Sequence, residues 1–408
     1  MGWRGLVLGV WLWSPLASAY SVLTHQAVID SLWDTSIQPL LLARFPHATT
    51  EDLRKAHAYA YGGAIVQDFG YYPFGSRLFT DLVHYFRSGD FIENLLAESA
   101  DLNEFAFALG SLAHYASDNS GHRIAVNRAV PLMYPKLARR FGPVVTYEDN
   151  PSAHLKVEFA FDVAQVARHR YAPEAYHDFI GFEVAKSVLE RAFRKTYGLP
   201  LKDFFASIDL AIGSYRFAVA SLIPKMTKAA WAAREKELSA APGLTRQKFL
   251  YNLSGQAFEK EWGMEYERPG RVARLLAFFF RILPKVGPLK VFAFHMPAPE
   301  AERLFMQSFN ATLDLYRKEL TELGSARAAR VPNRNFDTGG PAVAGQYHLA
   351  DEACEQLLAK LARNGLADVD APLRKAVLAF YARTPPKKPE AADVLRRLQQ
   401  RPERAAAR

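Results

Sequence analysis

From about residue 24 to about residue 325, apolar positions recur at intervals of three and four, while alternating runs of β-branched residues are scarce. That period predicts helices. The segments ESADLNEFAFALGSLAHYASD (98–118), HLKVEFAFDVAQVARHRY (154–171) and LKDFFASIDLAIGSYRFAVASLIPKM (201–226) each carry one apolar stripe. Breakers such as YYPFGS (71–76) and RFGPVVTYEDNPS (140–152) separate the helical stretches. The fold class predicted is all-α, a multi-helix bundle. From about 331, VPNRNFDTGGPAVAGQ reads as a linker, followed by short helices and a basic tail, TPPKKPEAADVLRRLQQRPERAAAR, expected to be mobile. The predicted organisation is a signal peptide over 1–19, a helical domain over 20–330 and a small C-terminal helical appendage over 331–408.

The N-terminal stretch sets the expected compartment. Arg4, the apolar run LVLGVWLW (6–13) and the small-residue ASA (17–19) have the layout of an export signal cut before Tyr20. An uncleaved anchor is the alternative reading. Secretion or periplasmic export is therefore expected, in a compartment where a single cysteine, Cys354, cannot form an internal disulfide. Stability must then come from packing or from bound metal. Cleavage removes one basic residue, Arg4, so the formal charge falls from +9 to +8, a balance that favours anionic partners without separating lipid from nucleic acid. No glycine-rich phosphate loop of the Walker or dinucleotide type is present, and no internal repeat.

The candidate chemistry is concentrated in HYASDNSGH (114–122), in a chain with eleven histidines. His114, Asp118 and His122 advance about 40° per step on a regular helix, so they are expected to share one face. NPSAHLKVEF (150–159) repeats the arrangement with His154 and Glu158. Imidazole and carboxylate at i and i+4 can converge on one zinc ion without thiolates. A helix carrying ordinary satisfied polar residues is the competing reading of each pair alone. Upstream, Asp68 sits between an apolar run and a turn in GGAIVQDFGYYP (62–73), His84 lies in DLVHYF (81–86), and YSVLTH (20–25) would place a free α-amine five residues ahead of His25.

This ordered set resembles the zinc-dependent phospholipase C family and its relatives, the fungal single-strand-specific zinc nucleases. The resemblance implies an all-helical enzyme with a trinuclear zinc cleft. It assigns Tyr20 and His25 to one zinc ion, Asp68, His84 and His114 to a second, with Asp118 bridging the two, and His122, His154 and Glu158 to a third. The family usually begins with tryptophan where this chain has Tyr20. Three residues separate Asp118 from His122, where the best-known members have five; the shorter spacing is expected of the branch resembling glycosylphosphatidylinositol-specific phospholipase D.

The implied activity is phospholipase C-type hydrolysis of phospholipid headgroups by a zinc-bound hydroxide, with Asp68 and Asp118 as the catalytic carboxylates. The single cysteine makes a thiol nucleophile an unattractive alternative. A single-strand nuclease with the same metals, using Tyr71 and Tyr72 to stack bases, is the second reading. A zinc-stabilised protein without catalysis is the third. Residues 268–294 open with RPGRVARLLAFFFRILPKVGPLK, six basic residues around Phe278, Phe279 and Phe280 and none acidic. This stretch is either a membrane-surface contact or a buried helix followed by a loop. His295 is expected to be structural.

Overall fold

The computed structural model describes residues 22–167, 182–217, 295–325 and 330–400. The stretch read as a signal sequence, Tyr20 and the basic aromatic stretch 268–294 lie outside the described residues. Among the described residues there are helices and no strand, apart from one isolated bridge between Arg334 and Pro341, as the apolar period predicts.

The α-helices are α1 (Val22–Leu32), α2 (Gln38–Arg44), α3 (Thr50–Val66), α4 (Arg77–Tyr85), α5 (Ser88–Glu98), α6 (Leu102–Ser120), α7 (Asn127–Met133), α8 (Pro135–Phe141), α9 (Pro151–Ala167), α10 (Lys186–Tyr197), α11 (Ile208–Phe217), α12 (Pro299–Gly324), α13 (His348–Arg363), α14 (Ala371–Phe380) and α15 (Pro389–Gln400). Local chemistry sets their starts. Thr49 and Asp52 form a reciprocal capping box ahead of α3, and the Asp101 carboxylate accepts from the Glu104 amide at the head of α6. Asn150 does the same for α9 by accepting from the Ala153 amide at 2.9 Å, with Pro151 occupying the first turn, where no amide proton is needed.

The centre of the bundle is the crossing of α3 and α6, and small residues make it close. A Cβ on Gly63 would lie 1.9 Å from the Phe107 carbonyl oxygen, and one on Gly110 would lie 1.9 Å from the Ala60 carbonyl oxygen. Only glycine fits at either position. The two backbones approach closely enough for the Ser111 hydroxyl to donate to the Gly63 carbonyl and for His114 to reach the Ala64 carbonyl. α1 is fastened to α9 by Asp162, whose carboxylate accepts from the Leu23 amide at 3.1 Å and from the Thr24 hydroxyl at 2.5 Å.

Two sequence expectations change at the C-terminal end. The stretch read as a linker enters the core: Phe336 and Asp337 are fully buried, and Asn335 is nearly so. The stretch read as a mobile tail contains α15, whose Val394, Leu395 and Leu398 are buried in the common hydrophobic core. The reason is the amphipathic spacing in DVLRRLQQ, a helical stripe hidden in a segment dominated by charge.

Candidate metal centre

Helix α6 carries the first part of the site and then changes its winding. Residues Gly121–Val126 form a π-helical turn between α6 and α7. Such turns, with their i to i+5 hydrogen bonds, occur mostly as single insertions in α-helices and often at functional sites. The even 40° progression expected for His114, Asp118 and His122 stops there. His114 and Asp118 face one group of ligands, and His122 faces another.

In the first group, His25 from α1, Asp68 from the 3₁₀ turn Gln67–Tyr71, His84 from α4, and His114 and Asp118 from α6 converge. All are 0–1 % exposed. The Thr80 hydroxyl donates to the Gln67 carbonyl and accepts from the Gly70 amide, which fixes the Asp68 turn against α4. Asp118 stands in the middle. Its Oδ1 is 3.6 Å from His25 Nε2, and its Oδ2 is 3.4 Å from His84 Nε2 and 3.1 Å from His114 Nε2. Asp68 Oδ1 is 3.3 Å from His84 Nε2. Potential ligand atoms group as His25, His114 and Asp118, and as Asp68, His84 and His114.

The protons identify what the group lacks. His114 Nδ1 lies 2.8 Å from the Ala64 carbonyl oxygen and His84 Nδ1 lies 2.9 Å from the Thr80 carbonyl oxygen, so each Nδ1–H donates outward. In the neutral rings each Nε2 carries a lone pair, and these two atoms face one another at 3.3 Å. Two acceptors at that distance, beside two carboxylates, call for a cation between them. Both oxygens of Asp118 are buried without a hydrogen-bond partner, a costly state for an ionised carboxylate unless a positive charge stands near it.

The ionisation preferences differ around the group. Burial holds the His25 imidazole down to about 3, with His114 adding to the effect, so the ring is neutral and its nitrogens can bind metal. Burial also disfavours charge on His84, but the carboxylates of Asp118 and Asp68 beside it push it up to about 9, so a proton and a metal ion compete for its Nε2. Asp118, against the effect of burial, is held well below the usual carboxylate range by His114.

The second group contains His122 from the π turn and His154 from α9. Its third member is Asp337, which the sequence reading missed. Glu158, expected in that place, lies 2.6 Å from His154 Nδ1, and its other oxygen is buried without a hydrogen-bond partner. Burial, and next Asp118 and Asp68, push the Glu158 carboxyl well above its usual range. His154 Nε2 is 2.6 Å from Asn127 Oδ1, and burial holds this imidazole down to about 3. His122 Nε2 is buried without a hydrogen-bond partner.

The described residues thus bring seven of the nine positions named from the sequence into the two groups, with Glu158 beside His154, while Tyr20 lies outside the described residues. They add Asp337. Its signal in the sequence was faint, an aspartate between a phenylalanine and a Gly-Gly turn in a stretch with no helical period. His295 is exposed, beside Tyr134 and away from both groups.

Five imidazoles and the carboxylates of Asp68, Asp118 and Glu158, with no thiolate, form a donor set suited to zinc. The orphaned buried atoms fit that ion. An all-helical domain with such buried clusters defines a class of helical metalloprotein. Residues 24–205 match the model of the zinc dependent phospholipase C family, which supports the resemblance drawn from the sequence. The match supports a zinc-dependent hydrolase of the phosphodiesterase type. No curated protein and no solved structure matches the chain.

Proposed function

We propose that this chain is an exported phospholipase C-type phosphodiesterase that hydrolyses phospholipid headgroups with three zinc ions. The observation that carries the reading is the pair of facing Nε2 atoms on His84 and His114, flanked by Asp68 and Asp118. His25 and Asp118 would hold one ion, together with the α-amine and carbonyl of Tyr20 once the signal sequence is removed. Asp68, His84, His114 and Asp118 would hold a second. His122, His154 and Glu158 would hold a third. Zinc bound there supplies Lewis acidity toward the phosphoryl oxygens and lowers the pKa of water toward neutrality.

The chain's own residues set the geometry. The Ala64 and Thr80 carbonyls fix the tautomers of His114 and His84, and their Nε2 lone pairs therefore point inward. The two oxygens of Asp118 address different histidines, as a bridging carboxylate requires. Asp68 would orient the attacking water through its carboxylate, held in place by the 3₁₀ turn. Residues 268–294 would meet the lipid surface through their six basic residues and the run Phe278, Phe279 and Phe280.

Tyr71 and Tyr72 favour lipid over single-stranded nucleic acid. Both are buried, with Tyr71 against Tyr147 and Tyr72 against Tyr215, and neither presents a ring face for base stacking. The test sets the mature protein against a soluble phosphocholine ester and against single-stranded DNA. Hydrolysis of the ester alone is expected. Cleavage of the DNA alone would move the chain to the nuclease reading, and zinc retention with neither activity would make it a binding protein.

A further inference from the structure

Asp337 reaches the second group of ligands from outside the family-matched residues, 215 positions along the chain from His122. Its surroundings are built. Oδ1 lies 2.7 Å from His122 Nδ1, and Oδ2 accepts from the Tyr147 amide and from the Tyr347 hydroxyl, both at 2.8 Å. The Asp337 carbonyl oxygen accepts from Asn127 Nδ2 at 2.7 Å. The loop that presents it is closed by Asn335, whose side chain accepts from the amides of Asp337 and Thr338. The preceding residue, Phe336, lies against the rings of His84 and His114, and its amide donates to the His84 carbonyl at 3.1 Å. One short segment therefore touches both groups of ligands.

We infer that Asp337 is a positioning residue for the metal centre: it accepts the Nδ1 proton of His122, so that the lone pair of His122 Nε2 faces the metal, and it makes residues 330–347 part of the site. Two features separate this role from a plain buried ion pair. Both carboxylate oxygens are already engaged by hydrogen-bond donors, and the opposite nitrogen of His122 is buried with no hydrogen-bond partner. A carboxylate on the far nitrogen of a metal-binding imidazole fixes its tautomer and raises its basicity, and losing such a partner costs about 10–100-fold in metal affinity. The inference rests on the zinc reading above.

The test is zinc binding by the mature full-length protein, measured ion by ion in competition with a chromophoric chelator. Asp337→Ala should weaken one ion about 10–100-fold and leave the others within error of wild type. In a His122→Ala background the same change should add nothing, because the residue through which Asp337 acts is gone. If Asp337→Ala does not fold, Asp337→Asn carries the test: it keeps the volume, loses the charge, and should weaken the same ion by a smaller factor. Wild-type affinity in the folded Asp337 variant, or an undiminished loss in the His122→Ala background, would overturn the inference. A wild-type chain that binds no zinc would instead sink the zinc reading itself.

Discussion

The Nε2 atoms of His84 and His114 lie 3.3 Å apart, a separation suited to two imidazoles on one ion, and Asp118 Oδ2 reaches both rings. Changing Asp118 to asparagine keeps the volume and removes a charge that several imidazoles and two ions are proposed to share. Asp118→Asn is expected to lose more than one zinc per chain and nearly all phosphodiesterase activity, whereas His295→Ala, at an exposed position, changes neither. Metal analysis of the two variants beside wild type checks this. Equal and mild effects would contradict it. The candidate ligands on α6 and α9 were legible in the sequence because their i, i+4 spacing places them on one helix face, whereas His25, Asp68 and His84 stood out only through the family resemblance. Asp337 was not legible. Its loop has no period, and its placement depends on hydrogen bonds to Asn127, Tyr147 and Tyr347, all distant in the chain or outside its loop.

At the scale of elements, the site depends on how closely α3 and α6 cross. An alanine at Gly110 would set its Cβ against the Ala60 carbonyl, so Gly110→Ala must push the backbones apart. The expected cost is about 1–3 kcal/mol of stability, seen in denaturant unfolding, together with weaker zinc retention as His114 moves from the Ala64 carbonyl. Unchanged stability would show that the crossing is not the constraint. The helices were legible from their apolar spacing. The π turn at Gly121–Val126 was not, because a pattern of residue types assumes constant winding; it is this turn that directs His122 away from Asp118. α12 offers a separate test. Burial, reinforced by Glu322 and opposed by Lys318 and Arg334, pushes the Glu319 carboxyl up to about 8. Its folded form keeps a proton that the unfolded chain releases at lower pH, so its stabilising contribution is complete below the ordinary carboxylate range and is lost as pH rises through about 8. Glu319→Gln should melt with wild type at pH 4 and above it at pH 9. Melting curves at the two pH values check this, and a gap that is the same at both would contradict it.

Across the whole molecule, both ends of the chain bear on the proposed centre. The C-terminal segment enters through Phe336 and Asp337. The N-terminal end is proposed to enter through the amine of Tyr20, since an amide nitrogen in an uncleaved chain is a far poorer ligand than a free amine. One extra residue ahead of Tyr20 should therefore lower zinc loading and activity together, as metal analysis and an ester assay would show. An extended chain that matched the mature protein in both would refute the proposed first site. The most direct test of the central claim is a zinc titration of the metal-stripped mature protein, followed by hydrolysis of a soluble phosphocholine ester. Activity should start at background and rise to a plateau as the three proposed zinc ions bind each chain; hydrolysis at full rate in the stripped protein, or a zinc-saturated protein without hydrolysis, would contradict it.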